Sequence, residues 1–331
     1  MALFLSLVIC LEFVTAAVSA TNVTVVATCT SLINDQCTQN LTSCLQPPCS
    51  LSCGRTSPQF SCSQDCVPSA NLTDGYLCDA LECQASQYCD QTCNNINCNS
   101  STCTSNQCTQ QCFVADCGRM VCKEDVSNCN QAAIIPKTGQ NMHCAARSCN
   151  QECKSCKKSF LSGMTCSSSV ETCEQRGLNG KFYFKCLAGV KNCTQKTDLF
   201  SIANMECHGD KCVQSCFHST CDMNCSSSVR ECAQSEDGLG SAVITMSCDA
   251  QVCTQHCGHS RCNMICSSSA KECRQTCKGT CSVICDAEVC HSDSVTTTTR
   301  PSLYPIPTNS ISKISIDIVT FYLVGTSLVT L

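Results

Sequence analysis

The triplet Cys-x-Gln begins at Cys37, Cys62, Cys89, Cys108, Cys129, Cys149, Cys173, Cys193, Cys212, Cys232, Cys253 and Cys273, in steps that run from 19 to 27 residues and settle near 20. A chain that prints one short unit at a fixed period builds its core by stacking copies, so this spacing limits the fold more than any other feature. A second element, x-x-Φ-x-Cys with Φ usually Met, lies between the glutamines. It reads CSLSC (49–53), DGYLC (74–78), GRMVC (118–122), QNMHC (140–144), SGMTC (162–166), FYFKC (182–186), ANMEC (203–207), CDMNC (221–225), ITMSC (244–248), CNMIC (262–266) and CSVIC (281–285). VVATC (25–29) reads as a half-unit, and NNINC (94–98) and NSSTC (99–103) compete for the third place. The repeat spans about 25–290.

Side-chain periodicity identifies both elements as strands. In a strand, residues i, i+2 and i+4 share a face, so Cys253, Gln255 and Cys257 point one way and Thr254 and His256 the other. On a helix these positions diverge, and five residues are too few for a helix to hold itself together. The expected fold is all-β: a parallel β-solenoid of about 13 coils of ~20 residues, heavily stapled by disulfides. A buried glutamine without partners is costly, but one per coil at the same register forms a hydrogen-bonded ladder. That ladder is expected through Gln39, Gln64, Gln91, Gln110, Gln131, Gln151, Gln175, Gln195, Gln214, Gln234, Gln255 and Gln275. The alternative turns Gln to solvent, but the mixed residues after the first cysteine (Thr38, Asp90, Asn130, Glu174, Thr194, Arg274) suit the outside better. The Φ positions, from Leu51 to Val283, form the apolar counterpart. The glycine-containing excursions 176–181 and 235–243 read as loops projecting from the body.

Cysteine supplies 43 of 331 residues, aromatics only 5%, and Trp is absent. Covalent links must replace much of the burial that large side chains normally provide. Stacked strands lie ~4.8 Å apart and disulfides want Cα atoms ~4.4–6.8 Å apart. Bridges can therefore join equivalent cysteines of adjacent coils or cysteines flanking a turn within one coil, and the spacing leaves the connectivity open. A bridge closing about 20 residues contributes roughly 3 kcal/mol on the chain-entropy model. In the segment CTQHCGHSRCNMICSSSAKEC and its continuation, Cys253, Cys257, Cys262, Cys266, Cys273, Cys277, Cys281 and Cys285 are read as disulfide cysteines. Zinc sites favour paired Cys-x2-Cys units. The chain has one such unit, Cys153 and Cys156, and no Cys-x-Cys, so no metal and no cofactor is expected. His256 and His259 do not recur in other copies. The Ser triplets after Cys166, Cys225 and Cys266 read as turn caps. No carboxylate or Arg cluster recurs on one face, so no catalytic residue is assigned and the chain is not expected to be an enzyme.

The ends read as processing signals. Residues 1–20 resemble a signal peptide ending in Val18-Ser19-Ala20; its removal takes Cys10 and leaves an even number of cysteines in the 21–293 repeat domain. Residues 294–310 are Thr- and Pro-rich, as in a glycosylated stalk, and 311–331 end in an apolar tail. This order suits a GPI-attachment signal with Ser310 or Asn309 as the attachment point; a short membrane span is the alternative. Sequons stand at Asn22, Asn40, Asn71, Asn99, Asn192 and Asn224. Asn192 and Asn224 each precede a cysteine of the core pattern, which argues against their use. The net charge of −5 argues against a nucleic-acid partner.

The Cys-x-Gln-x-Cys and Cys-Ser-Ser-Ser units in a secreted, cysteine-rich chain resemble cysteine-rich extracellular proteins of cnidarians, including proteins of coral skeletal organic matrix. The resemblance covers about 25–290, and the paired Cys-Cys repeats of galaxins are absent. It implies a place in a calcified matrix and no catalytic residue. The expected function is that of a GPI-anchored structural or adhesive protein, with extracellular-matrix or cell-surface partners. The alternative is a surface module recognising a glycan or protein through loops 134–143, 176–181 and 235–243.

Overall fold

The computed structural model describes residues 25–28, 36–40, 49–54, 60–66, 77–156, 161–238 and 242–294. All of them fall within one compact unit, Met1–Thr299. They form two parallel sheets of 13 strands each and contain no helix. The Gln sheet runs from Gln36–Asn40 to Val289–Ser294, and the Met sheet from Val25–Thr28 to Thr280–Cys285. The chain alternates between them, so one coil is a Gln strand followed by a Met strand, and coils are named here by their glutamine. Each strand pairs in register with its equivalent one coil away, as in Cys129↔Cys149 and Gln131↔Gln151, or Met142↔Met164 and Cys144↔Cys166. This is the expected parallel β-solenoid. No helix among the described residues is long and apolar enough to cross a membrane.

Period-2 alternation selects the strands. In Val252–Cys257, Cys253, Gln255 and Cys257 are buried while Val252, Thr254 and His256 face out. Every ladder glutamine, from Gln39 to Gln275, is buried. Gln64 Nε2 donates to Gln39 Oε1 at 2.9 Å, and the same link recurs coil by coil to Gln275 Nε2 on Gln255 Oε1 at 2.8 Å. The second amide hydrogen crosses the interior to a Met-sheet carbonyl, such as that of Glu82, Thr102, Glu206 or Ser247. The ladder thus links adjacent coils and also ties the two sheets together. It separates two apolar columns, one containing Leu51, Leu81, Met120 to Met264 and Phe184, the other containing the turn residues Val126, Val170, Val190 and Val229. At Φ in the third coil stands Ser101, which donates to Gln91 Oε1 and accepts from Gln110 Nε2.

Two repeat assignments change. Cys78 of DGYLC is the first cysteine of strand Leu77–Gln84, not the last; Leu81 takes the Φ position and Cys83 closes the strand. The competing NNINC and NSSTC both belong to strand Asn97–Thr104, where Asn99 is an extra residue between Cys98 and Ser100. Asp79 and Gly118 occupy the same extra place in the adjacent coils. Ser294 ends the last strand, so the solenoid runs one residue into the segment read as stalk.

Every cysteine from Cys53 to Cys290 is bridged, and each bridge lies within a coil or its following turn. None joins equivalent cysteines of adjacent coils among the described residues. Cys253 pairs with Cys248, Cys257 with Cys262, Cys266 with Cys273, Cys277 with Cys281 and Cys285 with Cys290. Stacked equivalents have parallel Cα–Cβ bonds, whereas cysteines on opposite sides of a turn point at each other at Cα separations such as 6.1 Å (Cys248–Cys253). The closed loops are correspondingly short, with separations such as 5 for Cys103–Cys108 and 7 for Cys166–Cys173. The entropic contribution per bridge falls to about 2 kcal/mol.

The two edges of the solenoid differ. At the Met-to-Gln edge every coil is bridged, from Cys53–Cys62 to Cys285–Cys290. At the Gln-to-Met edge four coils lack a bridge among the described residues, and other residues fill its place: Ala133 with Gln140, Gly177 with Phe182, Thr197 with Ala203, and Glu236 with Ile244. Segment 176–181 is therefore no projecting loop. Arg176 to Leu178 belong to strand Thr172–Leu178, and a Cβ on Gly177 would lie 2.4 Å from the Phe182 ring. Glycine is there to admit a phenylalanine.

Candidate functional site

Outward positions carry the charges, and coil stacking pairs them. Lys191 meets Glu171 at 2.8 Å, Lys211 meets Glu231 at 2.9 Å, and Arg230 meets Asp210 at 3.3 Å, each from a neighbouring coil. Such exposed pairs contribute at most about 1 kcal/mol each.

The densest convergence lies on the outer face of the Met sheet. Glu206 accepts a hydrogen bond from the Tyr183 hydroxyl at 2.6 Å, and Lys185 and His208 stand 3.2 and 3.9 Å from it. Burial opposes ionisation of Glu206, but the bonds from Tyr183 and Lys185 outweigh it and hold its carboxyl below the ordinary value. Burial and the Glu206 contact raise Tyr183; the Glu206 hydrogen bond raises Lys185. The network thus keeps its tyrosine and lysine protonated and its glutamate ionised at neutral pH. It offers a closed set of charges rather than a free base or nucleophile. Asp222, on the neighbouring strand, is raised by burial and then by repulsion from Glu206.

On the Gln sheet, Asp90 is raised by burial and by the nearby Asp65, and its Oδ1 has no hydrogen-bond partner among the described residues. Glu236 is fully buried at an unbridged edge, where backbone N–H groups of Gly238, His259 and Ser260 donate to its carboxylate. These three donors stand in for the missing disulfide and satisfy the charge.

Sulfurs approach one another between stacked bridges, as in Cys186 and Cys173 at 3.3 Å. The close groups Cys66–Cys78–Cys98, Cys173–Cys186–Cys193 and Cys257–Cys277–Cys281 are all drawn from disulfides, as are the sulfurs beside Glu236. A sulfur already bonded to sulfur is no thiolate ligand, so these groups are packing neighbours. No protein-family model, curated protein or solved structure matches the chain.

The Ser triplets cap turns: Ser169 Oγ donates to the Ala145 carbonyl, Ser228 to that of His208 and Ser269 to that of Asp249, each one coil back. His256 faces Asp237 at 3.5 Å, and His259 is exposed. Asn99 and Asn192 are exposed and Asn224 half-buried; alternation turns the residue before a buried cysteine outward. Asn192 and Asn224 flank Met-to-Gln bridges, while Asn99 follows the Gln-to-Met bridge Cys93–Cys98. Asn40 ends strand Gln36–Asn40. Asn22, Asn71, Asn309, Ser310 and the segments 1–20 and 311–331 lie outside the described residues.

Sequence reading missed a column of left-handed residues at the Gln-to-Met edge. Asn95, Val114, Ile135, Ser155, Asn179, Leu199 and His218 all have φ between 47° and 57°. Each of the first five donates its N–H to a carbonyl of the next coil, such as Val114 to Ile134 and Ile135 to Lys154. Asn and Gly are the usual signals for this conformation, and Val and Ile give none.

Proposed function

We propose that the protein is a non-enzymatic, GPI-anchored, N-glycosylated structural or adhesive element of the cell surface or extracellular matrix, including a mineralised matrix. Its bridges already require an oxidising environment, secretory or extracellular, during folding. The observation that carries the reading is the contrast between inside and outside. The coils repeat an inward Gln and a Φ residue and are bridged at the Met-to-Gln edge, while outward charges pair between neighbouring coils and their densest group, around Glu206, is a closed set of ion pairs and hydrogen bonds. An interior so repetitive specifies a stiff body of set length, and a variable polar exterior suits contacts with matrix.

The test is to display the full chain on cells and treat them with phosphatidylinositol-specific phospholipase C. Release of the chain, with loss of cell attachment to matrix-coated surfaces, is expected. Retention after treatment points to a membrane span, and unchanged attachment removes the adhesive role. A second reading, glycan or protein recognition by loops, keeps support from 134–143, where Ile135 and Lys137 are exposed, and from Asp237 in 235–243. It loses 176–181, where two strands are joined only by Asn179 and Gly180.

A further inference from the structure

Each coil turns from the Gln sheet to the Met sheet at one edge, and the turn of the Gln195 coil is unlike those on either side. Thr197 and Ala203, six residues apart, hold the register positions of Cys216 and Cys221 in one neighbour and of Gly177 and Phe182 in the other, which are five apart. The extra residue lets this turn reach further out, and no bridge closes it. Among the described residues it is also the only place with two consecutive left-handed residues other than glycine, Leu199 and Phe200, both at φ 57°. Both are exposed, Leu199 to 52% and Phe200 to 70%. Ile202 is exposed on the same turn and Phe217 on the next coil. The Phe200 N–H donates to the His218 carbonyl at 2.8 Å and the Phe217 N–H to the Thr197 carbonyl at 2.9 Å, which holds the two turns side by side. Ser155 and Asn179 meet the same left-handed demand with small polar side chains. Strain retained together with exposed apolar surface, with no gain to the fold, points to an interface.

The surroundings select the partner. Asp198, beside the patch, holds Arg176 at 3.2 Å. Lys181, paired in register with Ile202, has no ion pair among the described residues. Apolar and aromatic side chains at a projecting corner, with a lysine behind them, match a bilayer interface, where rings sit at headgroup level and a lysine stem carries its ammonium out to the phosphates. The chain between the solenoid and the expected attachment point allows this contact. Five coil steps of ~4.8 Å, about 24 Å, separate strand Asn192–Asp198 from strand Val289–Ser294, and residues 295–310 can reach about 50 Å at full extension.

We propose that the Leu199–Phe200 turn, with Ile202 and Phe217, inserts into the outer leaflet of the membrane that carries the chain, so that the solenoid lies on its Gln-to-Met edge. The proposal rests on the reading of a C-terminal membrane anchor. Four side chains bind a bilayer weakly by themselves, but a tether raises their effective concentration at the surface. The anionic lipids that basic patches seek belong to the cytoplasmic leaflet, in keeping with a single lysine here in place of a cluster. The sequons Asn192 and Asn224 flank bridges of the opposite edge, where glycans leave the turn uncovered.

The chain contains no Trp, so Phe200→Trp supplies a single fluorescent reporter. The test takes the full chain with this change from the cell surface into detergent and reconstitutes it in phosphatidylcholine vesicles. A blue-shifted emission, and loss of that emission when brominated lipid is included, are expected. Val213→Trp, exposed on the outer face of the Gln sheet in the neighbouring coil, should keep the emission of a residue in water and escape quenching. Phe217→Asp added to Phe200→Trp should reduce both the shift and the quenching, and mass spectrometry of the bridges checks that each variant has folded. Equal quenching at the two reporter positions, no quenching at either, or no effect of Phe217→Asp overturns the proposal. A chain that does not associate with the vesicles removes the anchor reading instead. A C-terminal His tag on nickel-chelating lipid then supplies the tether: quenching of the Phe200→Trp reporter sustains insertion of the turn, and its absence overturns it.

Discussion

At the scale of single residues, the glutamine shows how a polar group becomes a core residue. Its amide offers two donors and one acceptor in line, and the stack supplies a carbonyl on one side and another amide on the next coil. Gln195 uses all of them: it donates to Gln175 Oε1 and to the Glu206 carbonyl and accepts from Gln214. Gln275 ends the ladder, because Ser292 stands at the next register position, and its Oε1 has no partner among the described residues. Gln195→Met should therefore cost about 2–4 kcal/mol by stranding buried partners, and Gln275→Met distinctly less, as read from denaturant midpoints. Asp90 argues the opposite case. Its folded pKa is raised by burial and by Asp65, so the ionised carboxylate opposes folding at neutral pH, and stability rises as pH falls through the folded pKa. Asp90→Asn should raise the unfolding free energy at pH 7 by less than about 1 kcal/mol, and the gain should vanish once Asp90 is protonated in the parent.

At the scale of the strand and turn, Thr197 and Ala203 occupy the register positions of Cys216 and Cys221 in the next coil. Both are buried. Thr197→Cys with Ala203→Cys should close the missing bridge and add up to about 2 kcal/mol; mass spectrometry of the unreduced protein should find the pair linked. The strands, their parallel stacking and the inward glutamines were all legible in the sequence, because Cys-x-Gln-x-Cys states a period of two and the recurrence states the coil. The disulfide pattern was not legible. Cα spacing alone admits pairing along the stack or across a turn, and the direction of the Cβ atoms, which decides, is set only once the corners are built. Gly177 misled for a related reason. A glycine in sequence suggests a loop, yet here its missing Cβ makes room for Phe182 inside the coil. The left-handed column was hidden because Val114 and Ile135 sit in a conformation their residue types do not announce.

At the scale of the whole solenoid, stability is close to one-dimensional, since each coil contacts its neighbours and the ends have one neighbour fewer. Cys290 is exposed and Cys285 half-buried, unlike the buried sulfurs of the interior coils. Limited reduction followed by alkylation should therefore label Cys285 and Cys290 before any interior bridge from Cys83–Cys89 to Cys266–Cys273, because a thiol reductant must reach the sulfur it attacks. If an interior bridge opens first, the coils do not loosen from this end. The ladder also has a direction. Each Gln oxygen points toward the C-terminal coil and each amide nitrogen toward the N-terminal one, so the side-chain dipoles add head to tail as peptide dipoles do in a helix, at about 3.5 D per unit. The body is in effect a covalently braced electret, with its negative pole at the Gln275 oxygen. In an applied electric field the body should turn so that its Gln275 end faces the positive electrode.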